Sequence, residues 1–164
     1  MTGFRISSVA GLGAVTALGS ASVLGAALAS QYLGGLRPCE LCLWQRWPWA
    51  AAILLGAAAM LLPTAWGRVV LAAAAAALVV GTGIAGFHVG VEAAWWAGTS
   101  ACGATSTPLD LEGLRRQLLS QPVVRCDEPA FVLAGLSMAG WNAVVSLAAA
   151  LGLAFGLVRA GASR

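Results

Sequence analysis

The sequence predicts an all-α integral membrane protein, a four-helix bundle with one long loop between its third and fourth helices. Three observations carry that prediction. Of the 164 residues, 60% are hydrophobic and 9% are charged, with a mean hydropathy of +0.86, against roughly 25% charged residues in a soluble domain. Too little polar surface is available to coat a globule in water, so lipid must solvate most of the chain. Four apolar stretches are each long enough to cross about 30 Å of hydrocarbon, which takes roughly 20 helical residues. Finally, the stretches lack the polar–apolar alternation of a membrane barrel, and lipid leaves only helices as the other spanning structure.

The expected spans are 9–35, 43–62, 67–90 and 131–158. Spans 1 and 2 are joined by the short segment 36–42, and spans 2 and 3 by the turn 63–66. Segment 91–130 is the long connection. The expectation is a single domain over 1–164, with no linker or second unit. The alanine run 72–77 reads as bland packing material. The pairs Gly86/Gly90 and Gly152/Gly156 have the spacing of close helix contacts, but 21 glycines make such matches expected by chance.

Of seven tryptophans, Trp44, Trp47, Trp49, Trp66, Trp95 and Trp96 fall at or near expected helix ends, as in an interfacial aromatic belt. Trp141 is expected deeper, between helices. At the N-terminus, Arg5, an apolar run and Ala27-Leu28-Ala29 also resemble a signal peptide, although the run exceeds the usual 7–15 residues. Cleavage there would leave three spans.

The net charge of +3 comes from arginine alone and is scattered, without the clustered basic face of a nucleic-acid binder. Four spans put both termini on one side and connections one and three together on the other. Cys39 and Cys42 lie in the first connection, Cys102 and Cys126 in the third. All four thiols therefore share one face, whichever way the chain inserts. Arg5, Arg68, Arg159 and Arg164 lie on the cysteine-free side; Arg37, Arg46, Arg115, Arg116 and Arg125 lie with the cysteines, as do all six acids. The arginine density is higher on the cysteine-free side, which points the thiols outward. An even number of loop cysteines points the same way, to an oxidising compartment.

Cys39-Glu40-Leu41-Cys42 is a C-x-x-C pair at the mouth of span 2. A c-type haem would need histidine after the second cysteine, where Leu43 stands. A zinc ribbon would need a second close pair, and Cys102 and Cys126 are about two dozen residues apart. A redox-active disulfide fits best. Cys42 is expected at a helix N-terminus, where the backbone dipole favours a thiolate, with Arg46 one turn on along the same face. That guanidinium suits a negatively charged sulfur or reduced acceptor, and equally suits a headgroup. Pro48 frees the Trp44 carbonyl from its helical bond, opening the helix start. Leu111, Leu114 and Leu118 share one face of an amphipathic segment over 109–120, suited to a membrane surface or to ordinary loop structure. Finally, His88 and Glu92 are spaced i, i+4 near the outer end of span 3. Ionisable groups in a membrane are candidates for function, and a histidine simply bonded to Glu92 is the plainer reading.

Residues 38–46, Pro-Cys-Glu-Leu-Cys-Leu-Trp-Gln-Arg, resemble the signature of the disulfide bond formation protein B (DsbB) family. So do the two later cysteines, the stretch Val124-Arg125-Cys126-Asp127-Glu128-Pro129, and four spans in a chain of this length. The resemblance covers essentially the whole chain. It implies a bacterial inner-membrane protein with periplasmic thiols and cytoplasmic termini. It also implies redox disulfides Cys39–Cys42 and Cys102–Cys126, with Cys102 meeting a DsbA-like periplasmic thiol oxidase. Cys42 and Arg46 would then adjoin ubiquinone, or menaquinone, which takes the electrons. A quinone-linked thiol protein serving another partner, as in vitamin K epoxide reductase-like proteins, and a metal-binding or structural protein with static cysteines are the rival expectations.

Overall fold

In a computed structural model the described residues are 8–99, 102, 111, 112, 115 and 124–162. The elements run α1 (Val9–Tyr32), α2 (Glu40–Trp44), α3 (Arg46–Leu61), α4 (Thr64–Glu92), β1 (Val132–Leu133), β2 (Leu136–Ser137) and α5 (Met138–Ala162). The fold is mostly helical, as expected. The amphipathic segment expected over 109–120 falls almost wholly outside the described residues.

The helix ends differ from the expected spans for local reasons. Helix α1 starts at a Ser8 cap that accepts from Gly11 N at 3.0 Å and ends at Tyr32, short of 35. The second span begins at Glu40 rather than 43, and it is broken at Gln45. The break lies where Pro48 has no N–H for the Trp44 carbonyl. Helix α3 alone has 16 residues; the run 40–61 covers about 33 Å at the helical rise. Helix α4 is longer than expected at both ends. It stops because Ala94 turns left-handed (φ 57°), with Trp95 N bonded to Gly90 O at 2.9 Å and Ala94 N to Val91 O at 3.1 Å. That pattern satisfies the last carbonyls.

The fourth span needs the largest correction. Its first residues form a hairpin, pairing Val132 with Ser137 and Leu133 with Leu136. Ala134 (φ 51°) and Gly135 (φ 82°) make the two-residue turn, whose left-handed pair matches the twist of the strands. The helix therefore starts at Met138. Trp141 consequently sits in the first turn of α5 and is 38% exposed, joining the interfacial aromatics instead of the interior. Trp49 does the reverse and is buried.

Helices α1, α4 and α5 are each long and apolar enough to cross a membrane. Their outer faces carry Leu18, Val80, Leu151, Phe155 and Val158, all exposed, a surface that water does not tolerate on this scale. The chain is a membrane protein. Inside, Val9, Leu12, Ala59, Leu71, Ala74 and Leu153 form one core cluster, and Trp49, Ala52, Leu78 and Ala150 a second. A third lies around the cysteines, with Leu41 and Val91.

Backbone approach of α1 to α3 occurs at Gly13 and Gly56; of the glycines singled out by spacing, Gly90 packs against the Trp96 side chain and Gly156 against Leu12, while Gly86 and Gly152 are open. A Cβ on Gly56 would lie 2.8 Å from both Ala17 N and Gly13 O. Both are backbone atoms, so relief requires the helices to part. Gly56→Val is expected to destabilise the fold by about 1–3 kcal/mol, the usual cost of overpacking. Thermal unfolding in detergent measures this, with Gly152→Val, whose site is open, as the control.

Candidate functional site

Cys39 is the N-cap of α2, and its sulfur accepts from Cys42 N at 3.2 Å. The helix-start position expected for Cys42 thus belongs to Cys39, because the helix begins three residues earlier. The two sulfurs are 2.7 Å apart, so a disulfide of about 2.05 Å needs only a small closure. Cys39 is buried while Cys42 is half-buried. Hydrogen bonding from Cys42 lowers the Cys39 thiol to about 4, against the opposing effect of burial, with His88 adding to the fall.

Cys102 and Cys126 are joined in a disulfide with their Cα atoms 5.1 Å apart. Cys126 N donates to Cys102 O at 3.4 Å, and Thr99 Oγ1 lies 3.3 Å from Cys102 Sγ. The Thr99 hydroxyl donates to the Glu40 carboxylate, which ties the loop to the start of α2. Arg125 is paired with Asp127 and lies 3.4 Å from Glu128. The guanidinium holds the exposed Asp127 carboxyl below the usual carboxylate range. The structure packs Cys39, Cys102 and Cys126 into one buried cluster, with Cys42 against it. All four cysteines are therefore at one end of the bundle, as the span count requires.

Cys42 also lines a cavity of about 400 Å³ among α1, α3 and α5. Its walls are apolar, with Val23, Leu24 and Ala27 on one side and Phe131, Trp141 and Val145 on another. Arg46 lines it with Cys42, and Gln31, Gln45 and Asn142 add polar atoms. Gln31 Oε1 is buried with no hydrogen-bond partner among the described residues. A buried acceptor left unpaired costs about 1–3 kcal/mol. The cavity thus has two arginines, Arg37 and Arg46, one open acceptor and one thiol on otherwise apolar walls, the composition of a small-molecule site.

His88 was the residue the sequence described least well. It is buried, and its Nε2 is 3.9 Å from Glu92 Oε1, within ion-pair reach only. Its shorter contacts are Gln45 Nε2 at 2.8 Å, the Cys126 carbonyl at 3.1 Å and Cys39 Sγ at 3.6 Å. Glu92 is instead bonded by Ser137 Oγ, at 2.5 Å. Sequence reasoning passed over Gln31, Gln45 and Asn142. Their signal was available, since uncharged polar side chains within apolar spans also need partners.

Residues 10–156 match the family model described as "Disulfide bond formation protein DsbB". No curated protein and no solved structure matches the chain at a significant level.

Proposed function

The chain belongs to the disulfide bond formation protein DsbB family, and from that premise we propose that it reoxidises a DsbA-like periplasmic thiol oxidase and delivers the electrons to a membrane quinone. Family membership makes it a membrane oxidoreductase of disulfide-bond formation. The finer reading is supported above all by one observation: the C-x-x-C pair has two faces. Cys39 packs against Cys102 and Cys126, while Cys42 lines the apolar cavity beside Arg46.

In the proposed cycle a DsbA thiolate attacks Cys102 Sγ, breaking its bond to Cys126, which leaves as a thiolate. The second DsbA thiol displaces Cys102, giving oxidised DsbA and a Cys102/Cys126 dithiol. Cys126 then attacks Cys39 of the Cys39–Cys42 disulfide, and Cys42 leaves. Cys102 attacks Cys126, re-forming that disulfide and releasing Cys39. Each step is a thiolate displacing a sulfur. The Cys39/Cys42 dithiol finally closes to its disulfide, giving up two electrons and two protons.

A quinone supplies the acceptor for those electrons and protons. The cavity fits it: Gln31 Oε1 is an acceptor awaiting a donor, as a reduced ring hydroxyl would be, and Arg46 suits an oxygen gaining charge. The apolar walls suit the ring and tail of a lipid-soluble molecule. The reading places the cysteines on the periplasmic face of a bacterial inner membrane, with both termini cytoplasmic.

The decisive experiment gives purified protein reduced DsbA and ubiquinone or menaquinone. The expected result is catalytic loss of quinone matched by formation of oxidised DsbA; DsbA left reduced with quinone untouched overturns the reading. Arg46→Gln is expected to raise the quinone KM roughly 10-fold or more, the value of a charge-assisted hydrogen bond, and steady-state kinetics with varied quinone measure it.

A further inference from the structure

Trp49, Asn142, Gln45 and His88 form a hydrogen-bonded chain drawn from α3, α5, the α2–α3 junction and α4. Its direction is fixed at one end, because an indole N–H can only donate. Trp49 Nε1 donates to Asn142 Oδ1 at 2.8 Å. The Asn142 amide nitrogen is therefore the atom that donates to Gln45 Oε1, at 2.6 Å. That leaves Gln45 Nε2 facing His88 Nδ1, at 2.8 Å. An amide nitrogen donates, so Nδ1 holds the lone pair and the ring proton is on Nε2. Reversing any one amide would set two donors or two acceptors face to face, a costly arrangement where Gln45 and His88 are buried.

The protonated Nε2 is 3.1 Å from the Cys126 carbonyl and 3.6 Å from Cys39 Sγ, so its one N–H is shared between the two. We propose that this chain locks His88 as a neutral donor that holds the Cys39 sulfur as a thiolate beside Cys126, so that His88 is a positioning residue and not a proton acceptor. Nδ1 is occupied by an amide N–H and Nε2 already bears its proton, so neither nitrogen is open to the thiol's proton. The inference rests on reading Cys39–Cys42 as a redox pair, and it requires neither DsbA nor quinone.

The other groups facing Cys39 and His88 are accounted for. Cys42, on α2, bonds to Cys39 directly. Glu92, on α4, lies 3.9 Å from His88 Nε2 and is bonded by Ser137, next to α5. Glu40 is bonded by Thr99, and Cys102 and Cys126 are tied in their disulfide. Arg46 lines the cavity together with Gln45.

The test is a pH titration of thiolate absorbance in the reduced full-length protein, taking Cys39→Ser as the background. His88→Ala is expected to raise the Cys39 midpoint by about one to two pH units, the value of a hydrogen bond to a charged group. His88→Gln, whose amide nitrogen reaches the Nε2 position without being able to titrate, is expected to restore most of that shift. Trp49→Phe removes only the group that sets the chain's direction and is expected to raise the midpoint by about half a unit or more, at the scale of an ordinary hydrogen bond. A midpoint unmoved in His88→Ala, or equal in His88→Ala and His88→Gln, overturns the proposal. So does Trp49→Phe with an unaltered midpoint. A purely structural histidine would lower the unfolding temperature of both His88 variants without this separation. Failure of the quinone assay with the expected midpoints would count against the electron acceptor alone.

Discussion

Cys42→Ser is expected to stop quinone reduction while leaving one round of DsbA oxidation intact. Cys42 is the cysteine that lines the apolar cavity, together with Arg46. Without it the pair cannot close a disulfide, so no two-electron donor faces the acceptor. The Cys102–Cys126 disulfide does not depend on Cys42 and remains available. Reduced DsbA mixed with the variant should therefore be oxidised once, with a yield near one DsbA per chain, and then no further. Steady-state quinone consumption should fall by roughly four to six orders of magnitude, the range seen when one member of a catalytic unit is removed. Rapid acid quenching followed by thiol alkylation reads the burst, and quinone absorbance reads the turnover. Sustained quinone reduction by Cys42→Ser would refute the electron path through this thiol.

The sequence revealed the parts of this molecule that depend on composition and counting. Apolar runs located the spans because lipid selects for them continuously over some 20 residues, and the parity of the spans put all four thiols at one end. It failed where a local turn competes with hydropathy. Phe131–Met138 reads as the start of a span because its side chains are apolar, yet the left-handed Ala134-Gly135 pair folds it back as a hairpin. The start of α2 was misjudged for a related reason. Cys39 can cap a helix with its sulfur, a role that preference scales reserve for oxygen side chains. That shift moved the helix N-terminus from one cysteine to the other.

The polar chain through Gln45, Trp49, His88 and Asn142 could not be seen in the sequence for a different reason. Its bonds join residues separated by dozens of positions, so no spacing rule reports them. Trp49 lies near a helix end and so reads as an interfacial tryptophan, yet it is buried inside the bundle, against Asn142. The plain reading of His88 as Glu92's partner used the only neighbour that sequence spacing supplies. Tertiary packing supplied three closer ones.

Cys126→Ser is expected to convert a transient encounter with DsbA into a stable covalent complex through Cys102. The two cysteines of this pair are not equivalent. Both pack with Cys39, but Cys126 is fully buried with its carbonyl 3.1 Å from His88 Nε2, whereas Cys102 is 6% exposed and lies beside Thr99 in the long loop. Attack from outside at Cys102 releases Cys126 toward the inner pair, where its electrons are needed. Attack at Cys126 would instead release Cys102. With Cys126 replaced, oxidised DsbA can form a disulfide with Cys102, and the chain no longer has the partner thiol that displaces it in the loop. Non-reducing electrophoresis should show most of the chain in a reductant-sensitive complex with DsbA, against only a trace for the unaltered protein. Cys102→Ser should give no such band. A complex formed by Cys102→Ser and absent from Cys126→Ser would reverse the assignment, making Cys126 the outward thiol and leaving its bond to the His88 site without a role in electron transfer.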